Sequence, residues 1–119
     1  MKVLFTLILM GLVPQVAFAE SEKYSCDMMA LTESDRAVYQ ELAGTLLASV
    51  QEKRELRNGY AFRLPPEMLV TAARWISFER LCCPFFAFEL ELAQDQGALW
   101  LRITGSRGIK EFIRAEFQL

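Results

Sequence analysis

No histidine occurs among the 119 residues. With it go histidine general-base catalysis, Ser-His-Asp and Cys-His nucleophiles, and every mixed cysteine/histidine zinc site. Basic side chains are nowhere clustered: 13 Lys and Arg stand against 15 Asp and Glu, for a net charge of -2. A phosphate backbone needs a positive surface, so no nucleic-acid partner is expected. Internal repeats, linkers and low-complexity segments are also missing, and the length suits one domain.

The one long apolar stretch is short for a membrane span. Lys2 is followed by Val3 to Val13, then Pro14 and the small-residue sequence Ala17-Phe18-Ala19. A basic start, a brief apolar run and small residues before a cut make a secretory leader of residues 1–19, with the exported chain starting at Glu20. The rival reading, an anchoring helix, would need a longer run without a proline, so no stable span is expected after cleavage. Cys26 lies too far beyond the run, behind Lys23-Tyr24-Ser25, to be a lipid-attachment site. Export to a periplasm or to the outside follows. The cut removes Lys2 and no acid, which moves the net charge from -2 to about -3.

What remains reads as alternating helices and strands. Thr32 ahead of Glu33, Ser34 and Asp35 is a helix cap with carboxylates in the first turn. Val38, Leu42, Leu46 and Val50 then recur at helical spacing and predict a helix from about Glu33 to Glu55, stopped by Asn58-Gly59. Tyr60, Phe62 and Leu64 alternate with Ala61 and Arg63 as a strand ending at Pro65-Pro66. A second helix is expected from about Glu67 to Leu81 or Cys82, because Pro84 pushes Cys83 out of helical geometry. Phe86, Phe88, Leu90 and Leu92, then Leu99, Leu101 and Ile103 across Gln94-Asp95-Gln96-Gly97, predict a hairpin with one apolar face. Gly105-Ser106-Arg107-Gly108 leads into a last helix with Ile109, Phe112, Ile113 and Phe117 inward. Its glycines could also cradle an anion, but a tight turn accounts for them better.

The order predicts an α+β domain over residues 20–119: two layers, a small three-stranded, mostly antiparallel sheet, and helices on its apolar face. The other face would carry Arg63, Glu89, Glu91, Trp100 and Arg102. A tryptophan among charges marks that face as a surface for a homodimer or a protein partner.

Chemistry concentrates in Glu79-Arg80-Leu81-Cys82-Cys83-Pro84-Phe85-Phe86. Met68, Ala72, Trp75, Ile76, Glu79, Cys82 and Cys83 follow at steps of three and four, so one carboxylate and two thiols lie on the face that should be buried. Buried polar groups need a partner or a task. Arg36 of the first helix is the expected ion-pair partner of Glu79. Arg36 or Arg80 could also favour a thiolate, which the helix C-terminus otherwise disfavours.

Three cysteines in an exported chain allow several arrangements. Cys26 could bridge to Cys82 or Cys83 as a structural staple. Cys82 and Cys83 could pair as a strained, reducible vicinal disulfide. Or Cys26, Cys82 and Cys83 together could bind a soft metal or metalloid ion such as mercuric ion or arsenite, since soft cations select thiolates. The spacing is neither that of a Cys-x-x-Cys redox site nor that of a zinc ribbon, and zinc would need Glu79 as its fourth ligand.

Cys26 with Leu31-Thr32-x-x-x-Arg36, Gly59-Tyr60-x-Phe62, Glu79-Arg80-x-Cys82-Cys83-Pro84-Phe85-x-x-Phe88 and Leu101-x-x-Thr104-Gly105-x-x-Gly108-x-Lys110-Glu111-Phe112 resembles a family of small bacterial proteins built on a Glu-Arg-x-Cys-Cys-Pro-Phe core. The resemblance covers nearly all of the exported chain. It implies an association with heavy-metal resistance and carries over no catalytic activity. The leader sets this chain apart from the family's cytoplasmic members and bears on the redox state of its thiols. The leading expectation is an exported thiol-based binding protein for soft ions, accessory to a resistance system, rather than an enzyme. A disulfide-stapled interaction domain and a thiol-disulfide redox protein are the alternatives.

Overall fold

The computed structural model describes residues 23–119; the leader read at 1–19 lies outside them. After a 3-10 turn at Met28–Ala30, helix α1 runs Glu33–Ala48, strands β1 and β2 occupy Glu52–Leu56 and Gly59–Leu64, and helix α2 spans Leu69–Cys82. Strands β3 (Ala87–Leu92) and β4 (Leu99–Thr104) and helix α3 (Ile109–Glu116) complete the order. No helix among the described residues is long and apolar enough to cross a membrane.

The class is α+β, and the sheet has four strands where the pattern predicts three. They lie in the order β1-β2-β4-β3, every neighbouring pair antiparallel. The extra strand is carved from the end of the predicted first helix, which stops at Ala48 instead of reaching Glu55. Glu52-Lys53-Arg54-Glu55 are good helix formers, but an edge strand wet on both sides has no need of apolar residues. Arg57-Asn58 is the tip of a β1–β2 hairpin.

Gly59 serves that hairpin by close approach, not by positive φ: a Cβ there would overlap the Ile103 carbonyl oxygen on β4. Gly44, exposed in α1, has nothing within 4 Å of its Cβ position. Gly59→Ala should therefore destabilise the fold by roughly 2 to 3 kcal/mol, while Gly44→Ala should stabilise it by up to about 1 kcal/mol through helix propensity. Denaturant melts of the two variants check the pair of opposite signs.

The cap forms as the sequence indicates, with Thr32 Oγ1 accepting the Asp35 N–H at 3.1 Å. Pro66 opens a 3-10 turn, Pro66–Met68, that feeds α2. The inner sheet face is a register of apolar side chains, Tyr60 beside Ile103, Phe62 beside Leu101 and Leu64 beside Leu99, all buried. Leu42 and Leu46 of α1, Ala72 and Trp75 of α2, and Ile109 and Ile113 of α3 join them in one core. Area lost from water by these side chains is the main stabilising term. On the outer face Arg54 stacks over Trp100, 4.4 Å from guanidinium to ring centre, and Arg102 reaches Glu91 at 3.5 Å.

Candidate functional site: a buried carboxylate among three sulfurs

Helix α2 places the site and Pro84 finishes it. Glu79, Cys82 and Cys83 project from one face at steps of three and four, and the Cys83 N–H closes the last turn on the Glu79 carbonyl at 2.7 Å. Cys83 itself has left helical geometry, at φ -130 and ψ 67, as a residue before proline must. Its sulfur thereby turns toward the N-terminal segment and is bonded to Cys26, with 4.6 Å between the Cα atoms.

The segment that delivers Cys26 is fastened along its length. Tyr24 donates to the Arg107 carbonyl at 2.8 Å and packs its ring on Phe85 and Phe112. The Asp27 N–H reaches the Cys82 carbonyl at 2.8 Å, satisfying a helix-end acceptor. Arg36 donates to the Leu31 carbonyl at 2.8 Å and, more weakly, to that of Met28. This corrects the expected ion pair: Arg36 holds the backbone of the segment and does not meet Glu79. The capping turn leaves carbonyls pointing at Arg36, and a planar fork of donors suits several carbonyls at once. Arg80 is exposed and lines a groove between α2 and β3, so it does not favour a thiolate either.

Glu79 is thus left in an unusual position. It is 1% exposed, and neither carboxylate oxygen has a hydrogen-bond partner of good geometry among the described residues. The Tyr39 hydroxyl faces it and favours its ionised form, but burial outweighs this, Glu116 adds repulsion, and the pKa is pushed up to about 7. The same burial and the same carboxylate push Tyr39 well above its ordinary value. One oxygen of Glu79 and the sulfurs of Cys26 and Cys83 all lie within 4.8 Å of one another. The third sulfur, Cys82, is fully buried, 3.7 Å from that of Cys83, and keeps a free thiol. Burial first, and then Glu79, push the Cys82 thiol up to about 11.

Chemically this is a disulfide, a thiol and a carboxyl group packed together, all buried except the half-buried Cys26. In the oxidised site the one free thiol, Cys82, is a poor nucleophile, because burial disfavours its thiolate. When Cys26 and Cys83 are reduced, their two sulfurs and one Glu79 oxygen remain grouped within 4.8 Å, with the Cys82 sulfur adjoining that of Cys83. Sequence spacing places Glu79, Cys82 and Cys83 together correctly, but it does not choose between Cys82 and Cys83 for the bridge. Tyr39 is missed by that reading; its one signal is its place beside Val38 on the inward side of α1. At Gly105 to Gly108 the positive φ of Gly108 and the contact of Gly105 with Ile109 account for both glycines as a strand-to-helix turn. No family model, curated protein or solved structure matches this chain.

Proposed function

We propose that the protein binds one soft metal or metalloid ion through Cys26, Cys82 and Cys83, with Glu79 as a fourth, oxygen donor. The observation that carries this reading is Glu79: a carboxyl group 1% exposed, faced by the Tyr39 hydroxyl, with no hydrogen bond of good geometry among the described residues, and within 4.8 Å of two sulfurs. Burying the ionised form costs several kcal/mol, by order of magnitude; protonation relieves that cost, and a bound cation would relieve it in the ionised form. Thiolates select soft ions, which fits mercuric ion or arsenite better than a hard divalent cation.

Disulfide and ion compete for the same sulfurs, so the ion requires the reduced site. The leader-like residues 1–19 support export to a periplasm or the outside, where the disulfide is the resting form and a dithiol reductant opens the site. An accessory role in heavy-metal resistance fits the motif resemblance. The rival, a stapled interaction domain, is favoured by the Cys26–Cys83 bond and leaves Glu79 as a protonated carboxyl beside Tyr39.

Calorimetric titration decides between them. Fully reduced protein should take one mercuric ion or one arsenite per chain with a rise in melting temperature, as any ligand of the native state gives. Oxidised protein, with Cys82 as its one free thiol, should lose the arsenite site altogether. Reduced protein that ignores both ions at micromolar concentration would leave the staple as the whole function of the cysteines.

A further inference from the structure

The sheet has two edges, finished in different ways. On β1, Glu52, Lys53, Arg54 and Glu55 follow one another and Lys110 of α3 takes up Glu55. Such mixed, solvated charge makes a poor template for another strand. The β3 edge has no lysine, proline or bulge: Ala87 to Leu92 pair with β4 in unbroken register and, among the described residues, with no strand on their far side.

Behind that edge the core is open. Leu99, Leu101 and Ile103 on β4 are buried, yet their neighbours Phe88 and Leu90 on β3 are only half-buried and Leu92 is 51% exposed. The cause is a groove of about 530 Å³ between β3 and α2, with Ala73, Ile76 and Arg80 on the helix side. A fifth strand laid on β3 would send every second side chain into this groove. Its other side chains would stand beside Glu89 and Glu91, both exposed, for which the adjoining strand supplies Arg102 alone.

We infer that the β3 edge receives an extended segment of a partner protein in which apolar residues alternate with lysine or arginine. Main-chain bonds would give affinity, and the groove and the two glutamates would give selectivity. Charge argues against a second copy as occupant. Antiparallel self-pairing of β3 sets residues of the same face opposite each other, Glu89 against Glu91, and a parallel pair keeps glutamates adjacent. The β1 strand of another copy offers the groove charged residues at every position before Leu56. This inference uses none of the cysteines and stands apart from the ion site.

The test uses labelled ten-residue peptides and fluorescence anisotropy on the oxidised protein. A valine–lysine alternating peptide should bind, and a peptide of the same composition in two blocks should bind at least about tenfold more weakly, as β-addition requires. A valine–glutamate alternating peptide should not bind. Glu89→Lys with Glu91→Lys should reverse the order of the two alternating peptides. Ala73→Arg, which fills the groove from the helix side and leaves the sequence of β3 unchanged, should weaken the parent's preferred peptide. Hydrogen exchange should slow at Ala87 to Leu92 in the complex. Equal binding of blocked and alternating peptides, an order unmoved by charge reversal, or protection at β1 would overturn the inference. So would β3 protection that rises with protein concentration alone, which would assign the edge to a second copy.

Discussion

Cys83→Ser should be the most damaging single change in the site, because it removes the staple and an ion ligand together. In non-reducing buffer the expected loss is about 2 to 4 kcal/mol, the upper end set by closure of a loop of 57 residues. For a domain of this size that lowers the melting temperature by on the order of 10 °C or more. Reductant should bring the parent down to the variant's level, since the bond acts largely through the unfolded chain. Ion affinity of the reduced variant should fall steeply, as a hydroxyl replaces thiolate poorly for a soft ion.

The other two cysteines should separate these roles. Cys82→Ser leaves the disulfide intact, so stability should change little while ion affinity falls. Cys26→Ser loses the disulfide but keeps the pair on α2. It should retain mercuric ion, which two sulfurs satisfy, better than arsenite, which wants three. Denaturant melts with and without reductant, alongside calorimetry, check all three variants. A Cys83→Ser protein as stable as the parent under non-reducing conditions would show that the hydrogen bonds of Tyr24, Asp27 and Arg36 hold the segment unaided.

Stability of the ion-free, oxidised protein should fall as pH rises from about 4.5 to 7. Burial holds the Glu79 proton up to about pH 7, whereas the ordinary carboxyl value is 4.5. Between those values the folded chain binds a proton that the unfolded chain has released, so each step upward favours unfolding. The stability is fully present below the unfolded value and is lost through the folded one, in total roughly 3 kcal/mol. Tyr39 eases the ionised form and Glu116 opposes it, so the net sign follows burial. Glu79→Gln should flatten this slope and exceed the parent's stability above neutral pH. Bound cation should reverse the slope, because it favours the carboxylate. Unfolding midpoints at pH 5, 6, 7 and 8 would reveal it; a parent profile that rises over this range, with the variant weaker at pH 8, would mean that Glu79 is ionised and paired.

Local sequence encodes the buried faces of this fold better than its wet edges and its long-range contacts. Helix α2 carried a strong three-and-four pattern, so Glu79, Cys82 and Cys83 were legible as one face. Strand β1 was not, because an edge strand in water has no apolar period and its charged residues favour a helix in isolation. Asn58-Gly59 reads locally as a helix stop although it belongs to a hairpin, and the closeness of Ile103 to Gly59 has no trace in the local sequence. The partner of Arg36 depended on where the 23–31 segment crosses α1. Its choice of carbonyls over a carboxylate is tertiary geometry, as is the gap between α2 and β3.

The two tryptophans give the molecule a pair of built-in optical reporters. Trp75 is 3% exposed, packs edge-on to Phe88, and its Nε1 has no hydrogen-bond partner among the described residues. Such surroundings place its emission at short wavelength. It sits one helical turn before Glu79, where a bound heavy ion would quench it. Trp100 lies on the opposite face of the sheet beneath Arg54, half in water, and emits further to the red. Filling the ion site and covering the outer face therefore have separate spectral signatures, with no label added.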